Sequence, residues 1–265
     1  MTLEEHAAYE RRANRAHLIR KGGVWWRRTR VLFYRPLNLF REVPLPAPVP
    51  GLGAWLGAAQ FPVAPEAASG RIQLLVCDGL KDYSLEGLAG SMRSQIRKAG
   101  RQLRVEVLTE AEDFCRRAFP VYMEFQARTQ YGVSRHRTTE AGFRSWADAV
   151  FGLGKVRVLG AFHEAQLTAV LLTFRVEDVL FYSVYFGNRE ALARGASDWL
   201  LHTVKLAAAA DPGIRMIFSA VAGMPRGLDR FYLLRGFRLL DRPTAVCGNP
   251  LTLGCLRVLV PRLYR

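Results

Sequence analysis

One tyrosine near the carboxyl end of the chain stands where its hydroxyl could act as an acid. The stretch FYLLRGFR, residues 231–238, predicts a short helix that ends at Gly236 and places Tyr232 one turn before that glycine. A tyrosine hydroxyl, with an ordinary pKa of about 10, is protonated at neutral pH and can donate its proton to a departing atom. The alternative is a helix tyrosine whose ring packs and whose hydroxyl lies in water.

A second set of residues stands at the start of a predicted helix, ASDWLLHTVKLAAAA, residues 196–210. The backbone amides of a helix start are unpaired, and the helix dipole favours an anion such as phosphate there. Small residues let such an anion approach, and a basic one adds charge. The candidates are Arg194, Gly195, Ala196 and Ser197. The alternative is an ordinary helix entry in which Ser197 or Asp198 serves as a cap.

The other candidates lie on the neighbouring elements. Tyr185 and Phe186 end the strand VLFYSVYFG, which precedes that helix, and are candidates for the same ligand site. A base that accepts a proton is harder to assign. Glu124 lies on a predicted helix, where a solvated face is the usual alternative, and Ser219 lies on the strand RMIFSAV. Both are retained as catalytic candidates beside Tyr232.

These residues are placed by a distinctive order of elements. After a strand at 104–108, helices are predicted over 110–128 and 139–151, followed by three strands joined by tight turns. The helix at 196–210, a strand, a short helix and a final strand or hairpin follow. This order predicts an α/β sheet that is antiparallel at first and then gains a crossover helix, which sets two strands parallel.

The amino-terminal part has a less regular pattern. A helix is predicted over residues 4–21, ending at Gly22 and Gly23, and the next segment, VWWRRTRVLFYR, predicts a strand. The proline-rich run from 44 to 65 predicts irregular structure. A strand over 71–78 follows, and then a helix that Ser84 caps and Gly100 ends.

In these motifs the chain resembles the GNAT superfamily of acyl-CoA N-acyltransferases. RGASDWLL is similar to the pyrophosphate loop of that family, although Leu192 stands where the family prefers Gln or Arg, so that Arg194 would supply the charge. FYLLRGF is similar to its Tyr-x-x-x-Gly-Phe element. The resemblance implies a GNAT fold, a mixed and mostly antiparallel sheet flanked by helices. It also implies an acyl-CoA or acetyl-CoA donor held at Gly195, Ala196 and Ser197, with Tyr232 as the general acid.

A second resemblance is to the Fem-type aminoacyl ligases. It is carried by SLEGLAGSMRSQIRKAGRQLRVEVL and by GLDRFYLLRGF. Fem-type ligases commonly have a lysine where Tyr232 stands and often an inserted coiled-coil arm, which this sequence lacks, and this favours an acyl thioester over aminoacyl-tRNA. The resemblance implies two parts: residues 1–83 as a reduced GNAT-like lobe and residues 84–265 as the acyltransferase domain.

The charge of the chain favours anionic partners. Lys and Arg number 38 against 23 Asp and Glu, a net charge of +15. An acidic acyl-carrier protein, an anionic membrane surface at which the chain is peripheral, or nucleic acid would each be attracted. The last gives the rival reading, a nucleic-acid-binding module without catalysis, based on WWRRTRVLFYR and RSQIRKAGRQLR.

The expected function is therefore acyl transfer from a thioester to an amine of a peptide, an amino acid, another small molecule, a lipid or a cell-envelope precursor. The alternative is a Fem-type aminoacyl-tRNA-dependent ligase. The histidines and cysteines show no metal-ligand spacing, so no metal is expected. The first residues lack the apolar segment of a signal peptide, and a cytoplasmic protein is expected.

Overall fold

One sheet of eleven strands forms the centre of the computed structural model, which describes residues 1–30, 32–129, 136–223 and 227–259. The order across the sheet is β1-β2-β3-β4-β11-β5-β10-β9-β8-β7-β6. Neighbouring strands are antiparallel except for the pairs β3–β4 and β9–β10. The strands are β1 (Leu18–Lys21), β2 (Val24–Arg30), β3 (Phe33–Pro36), β4 (Ala58–Pro62), β5 (Gly70–Cys77), β6 (Arg104–Leu108), β7 (Val156–His163), β8 (Gln166–Val176), β9 (Val179–Gly187), β10 (Met216–Val221) and β11 (Arg238–Gly248).

Helices cover both faces of this sheet. Helices α1, α4 and α5 pack on one face of the β7–β9 meander, and α3, α7 and α8 pack on the other. The helices are α1 (Leu3–Asn14), α2 (Gly51–Leu56), α3 (Gly90–Gln102), α4 (Ala111–Thr129), α5 (Glu140–Phe151), α6 (Arg189–Ala193), α7 (Ala196–Ala209), α8 (Leu228–Leu233) and α9 (Pro250–Leu259). The mixed, mostly antiparallel sheet flanked by helices confirms the fold class that the sequence predicts.

Strand β8 shows why both faces are covered. Side chains of a strand point alternately to the two faces of the sheet. Ala169 and Leu171 belong to the core under α7, whereas Val170 and Leu172 belong to the core under α4 and α5. All four are buried, so the middle of the strand is apolar on both faces and needs a helical layer on each side.

Two predictions for the amino-terminal part are wrong in their bounds. The predicted helix over 4–21 ends at Asn14, because Arg15 has a left-handed backbone, and β1 follows. Gly22 and Gly23, both at positive φ, make the turn between β1 and β2 rather than a helix end. The predicted strand over 24–35 is two strands, β2 and β3, paired antiparallel.

Three further predictions differ from the structure. The proline-rich run contains α2 and β4, because residues 58–62 pair with β11, a partner distant in sequence. Ser84 begins a short 3-10 turn and does not cap α3, which starts at Gly90, and Gly100 lies inside α3, which ends at Gln102. The predicted final strand or hairpin is one long strand, β11, and α9, which follows it, was not predicted. The predicted elements between residues 104 and 235 are confirmed with small shifts in their bounds.

The sheet is continuous across the predicted boundary at residue 84. Strand β11 lies between β4 and β5, so the carboxyl-terminal strand pairs with two strands from residues 1–83. The division into parts 1–83 and 84–265 stays a prediction. Within the described residues, no helix has the length and apolar character needed to cross a membrane.

The cap of α5 gives a simple test of the local structure. The Thr139 hydroxyl accepts a hydrogen bond of 3.2 Å from the backbone amide of Gly142 at the start of the helix. We expect Thr139→Ala to lower the free energy of unfolding by about 0.5–2 kcal/mol, because this amide loses its partner. Chemical denaturation measures the change, and Thr139→Ser, which keeps the hydroxyl, should preserve most of the stability. Equal losses in both variants would contradict the cap.

Candidate active site

Strands β9 and β10 part within the sheet, and we call the gap between them the cleft. These parallel strands pair only from Val179–Met216 to Phe181–Phe218. Immediately beyond, each strand has a bulge against its other neighbour: the register of β9 with β8 skips Ser183, and the register of β10 with β5 skips Ser219. A bulge bends its strand and leaves the extra residue unpaired. The two bulges therefore begin the divergence at the same level of the sheet.

The exposure of Ser183 shows that the cleft reaches the middle of the sheet. Ser183 is exposed although β9 is an interior strand with helices packed on both faces of the meander. Across the gap Ser219 is half-buried, and its buried hydroxyl lies beside the hydroxyl of Tyr232. Two neighbouring hydroxyls at such a gap are suited to a polar ligand.

Tyr232 lies beside the cleft, on the face covered by α7. Its ring is buried and perpendicular to the ring of Tyr182 on β9, with 6.0 Å between the ring centroids. Burial raises the pKa of Tyr232, and the nearby Ser219 hydroxyl and Arg235 guanidinium oppose this rise. Tyr232 is thus protonated at neutral pH, as a proton donor must be.

The start of α7 is covered by α3. Gly195 is buried at φ +71°, and a side chain there would contact Gln95 and Ala99 of α3. Ala196 is also fully buried. Arg194 donates hydrogen bonds to Glu190 (3.1 Å) and to Gln102 of α3 (3.3 Å). The Arg194 guanidinium, which the sequence predicts to bind an anion, is therefore already hydrogen-bonded within the protein.

Asp198 adds a negative charge to the first turn of α7. This carboxylate is buried, accepts a hydrogen bond of 2.9 Å from Gln95 and forms an ion pair with Arg235 of the turn after α8. A buried carboxylate in the first turn of α7 opposes the binding of a pyrophosphate there. The assignment of coenzyme A to Gly195, Ala196 and Ser197 stays a prediction.

The two aromatic candidates on β9 face opposite sides of the sheet. Tyr185 lies on the α7 side, where burial raises its pKa to about 12 and the Ser197 hydroxyl acts in the opposite direction. Phe186 is fully buried on the other side, among the rings of Tyr122 and Trp146. Phe186 has no surface for a ligand, so of this pair only Tyr185 can line the site.

Glu124 is engaged at another helix start. Its carboxylate accepts a hydrogen bond of 2.8 Å from the backbone amide of Arg189 at the start of α6. The Glu124 carboxylate is therefore engaged at the start of α6, which lies beyond the carboxyl end of β9. The structure therefore brings together Tyr232 and Ser219 of the predicted catalytic residues and places Glu124 apart from them.

Sequence reasoning missed three features of the site: the exposed Ser183, the ring of Tyr182 against Tyr232, and the Asp198–Arg235 pair. A polar residue in the middle of the apolar strand VLFYSVYFG was a weak signal for the first. The other two depend on contacts between residues that are far apart in the chain.

The basic segment of β2 is mostly committed to the fold. Trp26 is fully buried against Phe61, and Trp25 lies under the guanidinium groups of Arg11 and Arg20 at 4.5 and 5.7 Å. These rings do not form an open stacking surface for bases, which weakens the rival nucleic-acid reading. Within the described residues, no group of three or more His, Cys, Asp or Glu could hold a metal ion.

The sequence profile of a family described as the acetyltransferase (GNAT) domain matches residues 89–225, just over half of the chain. The chain belongs to this GNAT family. The matched segment begins at α3 and contains the β7–β9 meander, α7 and β10. The GNAT domain therefore supplies both strands of the cleft, while Tyr232 follows just beyond the match. No curated protein sequence matches the chain significantly.

Solved structures share the fold at low identity. The C-terminal domain (DUF2156) of a protein assigned as a lysylphosphatidylglycerol synthetase from Agrobacterium fabrum has a TM-score of 0.60 at 15% identity, over 96% of this chain and 92% of that one. L-PGS from Bacillus licheniformis gives 0.60 at 15% identity over 98% and 96%. FemX gives 0.53 at 10% identity over 71% and 63%. The GNAT domain with Fem-like structural neighbours confirms the predicted membership.

Proposed function

We propose that this chain transfers an activated acyl group to an amine in the cleft between β9 and β10, with Tyr232 as the proton donor. The observation that carries the proposal is the parting of β9 and β10 at two facing bulges, with the Tyr232 hydroxyl beside Ser219 of the β10 bulge. The family match, to a domain named for acetyl transfer, supports the same class of reaction.

The reaction assigned to the cleft is a direct transfer. The free amine attacks the carbonyl carbon of the donor, a C–N bond forms, and the bond from that carbon to sulfur or oxygen breaks. The Tyr232 proton passes to the departing atom, and the amine loses a proton to solvent. We assign to the Ser219 hydroxyl, which lies beside that of Tyr232, a hydrogen bond to the carbonyl oxygen as that oxygen gains charge.

The choice of acyl donor depends on which chemical groups the start of α7 can bind. The sequence predicts a thioester of coenzyme A or of a carrier protein, but the buried Asp198 carboxylate and the packing of α3 against Gly195 disfavour a pyrophosphate at that helix. An aminoacyl ester is the second candidate, because it needs no pyrophosphate site. The names of two structural neighbours, which refer to lysylphosphatidylglycerol synthesis and to FemX, support this candidate.

A donor comparison tests the proposal. Acetyl-CoA and a long-chain acyl-CoA are titrated calorimetrically at two salt concentrations, and bulk tRNA charged with radiolabelled amino acids is incubated with the protein and a mixture of amines. We expect weak or no saturable binding of either CoA ester and transfer of label from tRNA to an amine. Tight CoA binding that Gly195→Glu abolishes would restore the thioester donor. Transfer from neither class of donor would refute acyl transfer.

A further inference from the structure

Helix α8, which carries Tyr232, is too short to hold its own position. It has six residues, whereas isolated helices below about 12–15 residues are marginal in water. Two aromatic rings bracket the tyrosine instead. The Phe231 ring lies at 5.2 Å, nearly perpendicular, and the Phe237 ring lies at 5.0 Å. The place of the Tyr232 hydroxyl therefore depends on what holds these two rings.

The Phe231 ring is held in place by Arg235, which in turn is held by Asp198. The guanidinium of Arg235 lies 3.6 Å from the centroid of the Phe231 ring and donates a 2.8 Å hydrogen bond to the Phe231 carbonyl. Asp198 pairs with that guanidinium, and Gln95 donates to the other carboxylate oxygen. Both charges of the pair are largely withdrawn from water, so removing either one leaves the other uncompensated.

The second ring is held from Lys205, one of the most deeply buried polar residues in the described structure. Its ammonium donates to the Arg235 carbonyl and lies 5.0 Å from the Phe237 ring and 4.9 Å from the Tyr83 ring. These contacts are a carbonyl and two rings rather than a carboxylate. Burial lowers the pKa of Lys205, although the Cys77 thiol acts in the opposite direction. A buried lysine without a carboxylate partner is costly for folding alone.

Both contacts come from one rigid element. Asp198 and Lys205 stand seven residues apart on α7, two turns on the same side of the helix, and both reach Arg235 in the turn that follows α8. We infer that Asp198 and Lys205 are positioning residues, which fix the Tyr232 hydroxyl at the cleft through Arg235, Phe231 and Phe237. This inference rests on the proposed role of Tyr232 as proton donor.

Two isosteric variants with matched controls test the kinetic consequence. Lys205→Met and Asp198→Asn remove the buried charges, while Lys155→Met and Asp211→Asn make the same changes in the solvent-accessible ion pairs Lys155–Glu5 and Asp211–Arg175. With the donor that the comparison above identifies, we expect kcat to fall about tenfold in the buried pair, with KM for the donor within about twofold, because the acid is misplaced and binding is kept. The controls should keep full turnover. Unchanged kcat in both buried variants would overturn the inference.

A spectroscopic measurement separates positioning from turnover. The protein is labelled with 3-fluorotyrosine, and the ¹⁹F resonance of Tyr232 is assigned by its loss in Tyr232→Phe. We expect this resonance to move in Lys205→Met, in Asp198→Asn and in Phe237→Leu, which removes one ring but keeps both charges, and to stay in place in the two controls. If a charge variant fails to fold, Phe237→Leu decides. An unmoved resonance would overturn the inference, whereas a moved one in a protein without transferase activity would count against acyl transfer alone.

Discussion

Tyr232→Phe is expected to lower turnover by about tenfold with a thioester donor and by about 10²–10⁴-fold with an oxygen ester, while donor affinity stays the same. The reason is the leaving atom. A thiol has an ordinary pKa of about 8.5 and departs readily as thiolate, whereas an alkoxide is far more basic and needs a proton as it leaves. Tyr232 is protonated at neutral pH and can supply this proton; burial raises its pKa further above neutrality. Single-turnover kinetics with each donor measure the two losses.

The control for this substitution is another buried tyrosine. Tyr34 on β3 packs in the core under β2 and β4, away from the cleft strands, so Tyr34→Phe should leave turnover unchanged. Unchanged turnover in Tyr232→Phe itself would leave Tyr232 as a packing residue, the alternative that the sequence keeps open. Weaker donor binding with unchanged chemistry would point to a binding role instead.

The dependence of turnover on pH tests the assignment of Tyr232 as proton donor in a second way. A general acid works in its protonated form, and the pKa of Tyr232 is raised from its ordinary value of 10.0. Deprotonation of Tyr232 therefore begins to reduce turnover only above about pH 10. Any loss between pH 6 and 9 has to come from another group, such as the acceptor amine, which must lose its proton before it attacks.

The predicted helices and strands that the structure confirms are those with signals in their own local sequence. Thr139 and the apolar period after it mark α5, and the tight turns after His163 and Val176 mark the meander. The elements that were missed depend on distant partners. Strand β4, inside a proline-rich run, exists because residues 58–62 pair with 244–248 of β11. No local propensity of that segment favours a strand.

The candidate site, like the fold, was predictable from the sequence only where local signals exist. Tyr232 and Ser219 come together as expected, because the motif and the strand order place them on adjacent elements. The cover over Gly195 was not predictable, since α3 precedes α7 by about ninety residues and meets it only in the folded chain. Asp198 shows the same limit. In the sequence it reads as a possible cap, whereas in the structure it pairs with Arg235.

Ser183→Trp is expected to reduce turnover by at least about 100-fold and to leave the free energy of unfolding within about 0.5 kcal/mol. Ser183 is exposed, although its side chain lies near the Tyr9 hydroxyl on one side, so the indole extends into the gap in which donor and acceptor have to meet. Initial rates and thermal unfolding measure the two quantities on the same preparation.

Two matched variants separate blockage from other effects of this change. Ser183→Ala removes the hydroxyl without adding volume. It should keep turnover within about threefold, because Ser183 leaves space for the reactants and its hydroxyl takes no part in the chemistry. Thr29→Trp places the same ring at an exposed position on β2, away from the cleft, and should have no effect. Full activity in Ser183→Trp would show that transfer does not occur between β9 and β10. Tyr232 would then lie beside a gap that the reaction does not use, and the proposed chemistry would be refuted, whereas the contacts by which α7 positions the Tyr232 ring would still be judged by the fluorine measurement.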